Sequence, residues 1–380
     1  MSRQNNRRYE GHFTAPKPQR VRRLSGAALA LVILLLSLAR LGAEAFKLIS
    51  YADVLVGGGR MLVYGNVQNV EMGEEINGVP IFNEVPEQPE GDYILRLDDG
   101  STIVYQGHTY KLNQDLVTIL FLGIDHEIQE TDVIGTGGQS DAILLVGLDT
   151  RTGEATVLNI SRDTYAQVDV YSIHNQYVET INQQITMAYG YGNGKETSCE
   201  NAVRSVSRLL YQLPISCYLS LDMDGIEAAN EAIGRVTLDS LIDVEMPDGS
   251  IVKKGDRIEL AGKNLNRYIR ARSRDLDGNT KRMERQQQYI TEFIRKGVTK
   301  TRQQISFPVQ LFSTLAPYMA TNLEISDVTF LSSTFLSHGA NFSFRTVKGT
   351  YGKLFGSSVF YPDETDLFEA VLQVFYVRAD

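Results

Sequence analysis

Three short apolar segments decide the fold of this chain: LVTILFLGID (residues 116 to 125), DAILLVGLD (residues 141 to 149) and EATVLNISRD (residues 154 to 163). Their apolar residues follow one another without strict alternation, and each segment ends in an aspartate. A strand with one solvated face alternates apolar and polar residues, whereas a strand buried on both faces does not. The three segments therefore predict neighbouring strands in the interior of a layered fold.

Helical and strand patterns alternate after these segments. NAVRSVSRLLYQ (201 to 212) carries apolar residues at helical spacing, ISCYLSLD (215 to 222) reads as a strand, and GIEAANEAIG (225 to 234) reads as a helix that ends at Gly234. VTFLSSTF (328 to 335) and FSFRTV (342 to 347) are further strand candidates. The alternation predicts an α/β fold with helices on both faces of a sheet.

The segment RLDDGSTIVYQGHTYKLN, residues 96 to 113, precedes the first apolar strand. It predicts a β-hairpin, because Asp99-Gly100 is a strong turn signal between two runs of β-prone residues. Residues 44 to 113 as a whole read as a spacer or accessory segment that ends in this hairpin.

The charge of the chain limits its partners. It has 380 residues with 46 Asp+Glu against 37 Lys+Arg, which gives a net charge of −9. General nucleic-acid binding requires a basic face that replaces counterions, so this balance argues against nucleic acid as a partner.

An uncharged apolar segment, LSGAALALVILLLSLA, covers residues 24 to 39 and follows a basic tail. The basic residues of that tail are Arg3, Arg7, Arg8, Lys17, Arg20, Arg22 and Arg23. Leu24 to Ala43 reaches the length of a transmembrane helix if Arg40 extends to the interface. Positive charge before the segment predicts a signal anchor with residues 1 to 23 in the cytosol and the rest outside the membrane. A signal peptide cleaved at Ala43-Glu44-Ala45 is the alternative.

The two cysteines, Cys199 and Cys217, fall at the start of a predicted helix and in the following strand. An exported chain permits a disulfide between them, and two separate buried thiols are the simpler expectation.

Acidic residues end or begin two of the neighbouring strands. Asp125 ends the first strand and Asp141 begins the second, while Arg162 and Asp163 follow the third. Mg²⁺ typically takes one or two protein carboxylates and completes its shell with phosphate oxygens and water. Ligands of open α/β sheets bind at strand ends, so these residues predict a site that holds Mg²⁺ through Asp125 and Asp141.

The segment IRARSRDLDGNTKRMERQQQ, residues 269 to 288, is strongly basic in an acidic chain. It contains Arg270, Arg272, Arg274, Lys281, Arg282 and Arg285. Arg270 and Arg272 point to one face if their run is extended, and Arg282, Gln286 and Tyr289 share a face if the second half is a helix. Guanidinium groups bind phosphate through two parallel hydrogen bonds, so a pyrophosphate is the predicted ligand. A solvated helix face with local ion pairs is the alternative.

The other face of that predicted helix is apolar. Met283, Ile290 and Ile294 are expected to pack on the core.

An ordered set of motifs resembles the LytR-CpsA-Psr family. The motifs are FLGID, SDAILLVGLD, LNISRDTY, AYGYG, YIRARSRDLDG and KRMERQQ, and they span about residues 114 to 300. Members of that family are extracytoplasmic phosphotransferases, which move a glycopolymer such as wall teichoic acid or capsular polysaccharide from an undecaprenyl-pyrophosphate carrier to peptidoglycan. Their fold is a three-layer α/β/α sandwich with a hydrophobic groove for the polyprenyl tail.

The resemblance implies a role for each matching residue. Asp125 and Asp141 would hold Mg²⁺. The pyrophosphate would be held by Arg162, Arg270, Arg272, Arg282 and Gln286. A carboxylate, Asp163 or Asp141, would accept the proton of the attacking sugar hydroxyl. The implied domains are a tail (1 to 23), an anchor (24 to 43), a spacer (44 to 113), a catalytic domain (114 to 300) and a C-terminal part (301 to 380).

The chain departs from the family pattern where the family often has basic residues. His126 and Glu127 follow the first aspartate, Gln139 precedes the Ser-Asp pair, and Gln184 stands before AYGYG where a lysine is common. An asparagine is also common in that run; an ungapped match puts Thr186 there, and Asn182 matches only with a gap. Fewer cations favour a second hypothesis, in which the protein binds polyprenyl phosphates and regulates the envelope with weak or no catalysis. A membrane-attached transcription regulator is a third hypothesis, which the predicted topology disfavours: an exported domain would not reach DNA, and a tail of about 23 residues is too short to fold as a DNA-binding domain.

Overall fold

The computed structural model describes residues 95–97, 102–129, 132–271, 278–354 and 356–380. The predicted tail, the anchor at 24 to 43, its signal-peptide alternative and most of the spacer lie outside these residues, as do Arg272 and Arg274. Within the described ranges, no helix has the length and apolar character that crossing a membrane requires.

The chain forms eighteen short strands and eight α-helices within the described residues. The strands are β1 (Leu95–Leu97), β2 (Thr102–Tyr105), β3 (His108–Leu112), β4 (Leu116–Ile124), β5 (Ser140–Asp149), β6 (Ala155–Ile160), β7 (Tyr165–Tyr171), β8 (Tyr177–Gln184), β9 (Cys217–Leu221), β10 (Thr237–Asp239), β11 (Val244–Glu245), β12 (Ile251–Val252), β13 (Arg257–Glu259), β14 (Met319–Thr321), β15 (Phe342–Thr346), β16 (Gly349–Leu354), β17 (Ser357–Pro362) and β18 (Tyr376–Arg378). The helices are α1 (Met187–Gly190), α2 (Glu196–Leu209), α3 (Met223–Ile233), α4 (Lys263–Arg270), α5 (Gly278–Gln303), α6 (Phe307–Leu315), α7 (Ile325–Ser337) and α8 (Glu364–Phe375).

The main sheet has six strands in the order β14-β9-β4-β5-β6-β15. β5 runs antiparallel to both β4 and β6, while β9 is parallel to β4 and β15 is parallel to β6. The three apolar segments are therefore neighbours, as predicted, and the sheet is mixed.

Helices cover the sheet through two sets of alternating side chains. Leu120, Leu122 and Ile124 of β4 belong to a core cluster with residues of α2 and α8. Val117 and Phe121 of the same strand belong to clusters with residues of α7, α3 and α6. Successive side chains of a strand point to opposite faces, so both faces of β4 are buried, as its unbroken apolar run indicates.

The predicted hairpin is present and is part of a second sheet. β1 pairs antiparallel with β2 on either side of residues 98 to 101, and β2 pairs with β3 across Gln106-Gly107. The C-terminal strand β18 completes this sheet by pairing with β3. The two ends of the described chain are thereby joined.

The segment VTFLSSTF is a helix, so its prediction as a strand is wrong. It lies inside α7, whose first turn carries a capping box in which Glu324 N–H donates to Asp327 Oδ2 at 2.7 Å. Val328, Leu331 and Phe335 repeat at helical spacing, and Leu331 is buried against the sheet. The segment was assigned to a strand because its valine, threonine and phenylalanine residues have high β propensity, which outweighed the helical spacing in the sequence-based prediction. FSFRTV forms β15, as predicted.

Cys199 lies in α2 and Cys217 begins β9, and both are free, buried thiols. Burial raises the pKa of each thiol to about 12. The expectation of two separate thiols is confirmed.

A small lobe between α3 and α5 was not predicted from the sequence. It contains two short hairpins, β10 with β13 and β11 with β12, followed by α4. Its core cluster joins Val236, Leu260, Leu265 and Tyr268 to Tyr289 of α5. This packing fixes the end of α4 and the start of α5 beside the main sheet.

Candidate active site

The topology of the sheet brings the predicted acids and Arg162 together. Ile124 at the end of β4 pairs with Ser140 at the start of β5, and Ile143 pairs with Ile160 at the end of β6. Asp125, Asp141 and Arg162 therefore project from one end of three adjacent strands.

Asp141 is the centre of an ion-pair cluster. Its carboxylate contacts the guanidinium of Arg162, lies 3.6 Å from Arg282 Nη1 and lies 3.9 Å from Arg270 Nη2. Arg162 follows β6, Arg270 ends α4 and Arg282 lies on α5, so three separate elements supply the cations. The side chain of Arg282 is only 1% exposed, which means that its charge is held inside the protein. Three predicted arginines thus meet at one point.

Arg270 does not lie in an extended run, which was the condition for it to share a face with Arg272. Arg270 is the last residue of helix α4, and its side chain is 46% exposed. Helix spacing lets Leu265, Tyr268 and Ile269 pack on the small lobe while Arg270 points to Asp141.

The first turns of α5 carry the second half of the basic segment. Met283 is buried and Ile290 packs on the small-lobe core, as predicted. Arg282 is buried as well, so the polar face of this helix is not solvated here. Gln286 is partly buried one turn beyond Arg282.

Arg285 is a structural residue. Its Nε donates to the carbonyl of Tyr268 at 3.2 Å, and its Nη2 contacts the carbonyl of Ala271. The side chain is buried, and burial lowers the pKa of the Arg285 guanidinium. Arg285 therefore fixes the end of α4 against α5 rather than facing a ligand.

Asn279, which the sequence did not single out, ties the cluster together. Its Nδ2 donates to Ser161 Oγ at 2.9 Å and to Tyr351 Oη at 3.2 Å. Its Oδ1 accepts from Arg282 Nη2 at 2.6 Å. An asparagine in the first turn of a helix is ordinarily a local capping residue, so no sequence signal indicated this role.

Gln139 links the two sides of the site. Its backbone N–H donates to Asp125 Oδ1 at 2.7 Å, and its Oε1 accepts from Arg162 Nη2 at 2.6 Å. The amide thus stands where the family often has a positive charge and orients the neighbouring arginine instead. Thr186, another departure, donates to the carbonyl of Ser140 at 2.9 Å.

Asp163 lies at the edge of the arginine cluster. Its Oδ1 is 3.6 Å from Arg162 Nε and accepts from Gln184 Nε2 at 3.2 Å. Gln184 also donates to the carbonyl of Ser358 at 2.6 Å. The predicted base therefore connects the arginines to the strands β8 and β17.

Two glycine-rich loops form the wall beside Asp125: the first glycine loop, residues 132 to 138, and the second glycine loop, residues 190 to 194. Gly135 N–H donates to the carbonyl of Gly192 at 2.8 Å. A Cβ on Gly137 would lie 2.1 Å from Gly194 Cα, so only glycine permits this approach. His126 at the base of the first loop pairs with Asp132 at 3.1 Å.

The donors at this site suit magnesium in part. Asp125 is exposed and offers hard carboxylate oxygens, the ligands that Mg²⁺ prefers. Asp141 offers a second carboxylate, which is shared with three arginines. No group of three or more metal-ligating side chains occurs in the described part of the chain. Phosphate oxygens and water would complete the shell of an ion held by these two carboxylates.

Comparison with known proteins identifies relatives. The model of the LytR_cpsA_psr family matches residues 97–374, which extends beyond the motifs on both sides. A Bacillus licheniformis protein named polyisoprenyl-teichoic acid–peptidoglycan teichoic acid transferase TagU is 25% identical over 262 residues, covering 69% of this chain and 78% of its own length. A Bacillus subtilis protein of the same description, TagV, is 27% identical over 210 residues, covering 52% of this chain and 49% of its own length.

Solved structures share the fold. Protein gbs0355 from Streptococcus agalactiae has a TM-score of 0.57 at 22% identity, covering 68% of this chain and 86% of its own. The crystal structure of TagV from B. subtilis has a TM-score of 0.52 at 23% identity, covering 68% of this chain and 95% of its own. A structure of TagT bound to LI-WTA has a TM-score of 0.52 at 20% identity, covering 68% of this chain and 89% of its own. The family model matches most of the length of this chain, so the chain belongs to the LytR-CpsA-Psr family.

Proposed function

We propose that this protein is an extracytoplasmic phosphotransferase, which moves a glycopolymer from a polyprenyl-pyrophosphate carrier to peptidoglycan. The observation that carries the proposal is the convergence of Arg162, Arg270 and Arg282 on Asp141. Relatives named polyisoprenyl-teichoic acid–peptidoglycan teichoic acid transferases support the same class of reaction. The glycopolymer is a teichoic acid, a capsular polysaccharide or another secondary wall polysaccharide.

The arginine cluster suits a diphosphate. Three guanidinium groups from three elements present several N–H donors and a fixed positive charge to one small volume. Arg272 and Gln286, which flank the cluster in sequence, are proposed to complete the pyrophosphate site. An anionic ligand would take over guanidinium contacts that Asp141 now makes.

The proposed reaction is a displacement at the phosphorus that carries the glycan. A hydroxyl oxygen of peptidoglycan forms a bond to that phosphorus, and the bond to the bridging oxygen breaks. Polyprenyl phosphate leaves with the electron pair, and the arginines neutralise its charge. Asp163 accepts the hydroxyl proton, because it lies at the edge of the cluster and touches both Arg162 and Gln184.

Magnesium is part of the proposal. Asp125 and Asp141 would hold the ion together with phosphate oxygens. A bound Mg²⁺ would supply additional neutralisation of charge on the diphosphate. The chain's own contribution is to place the two carboxylates at adjacent strand ends, with Asp125 fixed by the backbone of Gln139.

The proposed location is the outer face of a bacterial cell membrane. Residues 24 to 43 would form a single-pass signal anchor with residues 1 to 23 in the cytosol. The domain described above, with its helices on both faces of the mixed sheet as in an α/β/α sandwich, would then face the envelope, where lipid-linked glycans and peptidoglycan meet.

The test is diphosphate cleavage by the full-length protein in detergent micelles. The substrate is a short-chain polyprenyl-pyrophosphate sugar, with Mg²⁺ in one arm and a chelator in the other. Asp141→Ala and Arg270→Ala are expected to lose cleavage. Arg257→Ala, which removes an exposed arginine of the small lobe that pairs with Asp239, is the matched control.

A membrane-anchored protein that binds polyprenyl phosphates without turnover is the second candidate function. The neutral amide of Gln139 beside Arg162 favours it, since the site has fewer cations than the family often has. Donor binding that depends on Arg270 but never leads to cleavage, with or without Mg²⁺, would establish this function and overturn the transferase.

A further inference from the structure

One face of the β7–β8 hairpin is half-exposed and begins at Asp163. Residues of β7 alternate as far as Val168, with Ala166 and Val168 buried and Tyr165 and Gln167 partly exposed, and the next residue, Asp169, is buried. The side chain of Gln184 reaches Asp163, so the exposed face of the hairpin leads away from the edge of the arginine cluster.

The second strand adds two amides to this face. Tyr165 pairs in register with Gln184, and Gln167 pairs with Asn182. Directly opposed residues of an antiparallel pair have their side chains on the same face. Asn182 and Gln184 therefore lie beside Tyr165 and Gln167.

A third strand contributes an aromatic ring. Phe360 N–H donates to the carbonyl of Asp163 at 2.8 Å, which sets β17 alongside the start of β7. The ring of the next residue, Tyr361, lies 5.5 Å from the ring of Tyr165 between centroids, and its side chain is 39% exposed. A Cβ on Gly352 would come within 2.9 Å of the Tyr361 ring, so the glycine lets that ring lie against the hairpin.

We name this surface the amide–tyrosine strip, which consists of Tyr165, Gln167, Asn182, Gln184 and Tyr361. All five side chains are neutral, so the strip lacks the fixed charge that phosphate or nucleic acid requires. Amides donate and accept hydrogen bonds at the same time, which matches hydroxyl and acetamido groups. Aromatic rings cover the apolar C–H face of a sugar ring. The chemistry that fits is a neutral or weakly charged saccharide chain.

We propose that the amide–tyrosine strip binds the glycan strand of the acceptor and delivers its hydroxyl group to Asp163. The proposal rests on the proposed function and deepens it, because it gives the acceptor a place distinct from the donor's arginine cluster. The position of the strip identifies its ligand as the acceptor, because the strip begins at Asp163, the carboxylate that is proposed to accept the hydroxyl proton. A sugar chain that lies along the strip therefore reaches the site at Asp163.

The experiment uses the full-length protein in detergent micelles and a soluble peptidoglycan fragment, an oligosaccharide of alternating N-acetylglucosamine and N-acetylmuramic acid. Calorimetry measures the Kd of this fragment, and a separate titration measures the Kd of the short-chain polyprenyl-pyrophosphate sugar. Tyr361→Ala is expected to raise the glycan Kd by about tenfold or more, and Tyr361→Phe to keep it within about twofold. Neither variant is expected to change the Kd of the donor.

Tyr177→Ala is the matched control. Tyr177 is a 58% exposed tyrosine of the same hairpin, but it lies at the tip, opposite Tyr171. An equal loss of glycan affinity in Tyr177→Ala and Tyr361→Ala would overturn the proposal, and so would a wild-type protein that does not bind the glycan.

The outcomes separate the two proposals. Glycan binding that Tyr361→Ala weakens, in a protein that cleaves no donor, would keep the strip and overturn the transferase. Donor cleavage by a protein whose glycan affinity ignores Tyr361 would keep the transferase and overturn the strip.

Discussion

At the scale of single residues, Gln139 shows how one side chain connects two functional groups. Its backbone fixes Asp125 and its side-chain carbonyl orients Arg162. The amide adds no charge of its own, so its effect on the site is through position.

Replacing Gln139 with leucine therefore tests a positioning role. We expect Gln139→Leu to lower kcat/KM for diphosphate cleavage by about tenfold, because a hydrogen bond to a charged group contributes about 1.5 kcal/mol or more. Gln139→Glu keeps the acceptor for Arg162 and should recover part of the rate. Gln183→Leu, which removes the amide that donates to Tyr191 Oη at 3.2 Å, is the control. A normal rate in Gln139→Leu would contradict this role.

Alanine substitutions of Arg285 and Arg270 are expected to affect different properties: the first lowers stability, and the second weakens donor binding. Arg285→Ala leaves buried carbonyls of Tyr268 and Ala271 without their donor, so it should lower the free energy of unfolding by about 2 kcal/mol. Arg270→Ala removes a half-exposed side chain, so it should change stability by less than about 1 kcal/mol. It should, however, weaken donor binding. Urea unfolding and donor titration of both variants check this contrast, and equal stability losses would contradict it.

At the scale of elements, one buried carboxylate attaches the β7–β8 hairpin to α2. Asp169 of β7 accepts from Arg208 Nη1 at 2.6 Å and from Thr180 Oγ1 at 2.6 Å, and lies 3.4 Å from Arg204 Nε. Burial by itself would raise the pKa of Asp169, but the hydrogen bonds from Arg208 and Thr180 outweigh it and hold the pKa below 3.8.

The sign of this shift gives a pH prediction. A lowered pKa in the folded state means that the carboxylate stabilises the fold above its unfolded pKa, and that this contribution is lost as pH falls through the folded pKa. Asp169→Asn should cost about 2 kcal/mol at pH 7, because it leaves two partly buried arginines without their anion. The difference from wild type should shrink below pH 3.8. Urea midpoints of both proteins from pH 7 to pH 3 measure it, and a difference that stays constant would contradict the assignment.

The close contact between the two glycine loops predicts that a larger residue at Gly137 lowers both stability and activity. Gly137→Ala would place a methyl group 2.1 Å from the backbone of Gly194, so we expect a loss of about 2 kcal/mol and slower diphosphate cleavage. Gly297→Ala is the matched control, since it lies inside α5 with no atom within 4 Å of the added Cβ. It should stabilise by about 0.5–1 kcal/mol through helix propensity. The thermal unfolding midpoints of the two variants are expected to shift in opposite directions, and a shift in the same direction would contradict the steric role of Gly137.

At the scale of the whole molecule, membrane topology remains a prediction. We expect the mature chain to keep residues 24 to 43 and to stay in the membrane fraction, because the apolar segment follows an extended basic tail. A reporter enzyme that is active only outside the cytosol should be active when it is fused after Asp380. Mass spectrometry of the mature protein provides the measurement. A chain that begins near Ala45 and leaves the membrane would show a cleaved signal peptide instead.

Much of the fold was predictable because its signals are local. The unbroken apolar runs of β4, β5 and β6 identify buried strands, and Gly234 marks the end of α3 in a left-handed conformation with φ of 86°. The small lobe was missed because its strands have two or three residues, which are too short for a periodic pattern. The segment 328–335 was misassigned because residue propensity favoured a strand where packing selects a helix.

The sequence by itself determined which residues stand at strand ends, since Asp125, Asp141 and Arg162 directly follow or begin apolar runs. Only the tertiary structure decided what those residues contact. Arg282 lies 141 positions from Asp141 along the chain, and Gln184 lies 174 positions from Ser358. Such pairs meet because α5 packs beside the main sheet and β17 packs against the β7–β8 hairpin, and this packing depends on the summed burial of many side chains. A local sequence pattern does not determine this total burial, so the contacts of the ion-pair cluster and of the amide–tyrosine strip form only in the folded molecule.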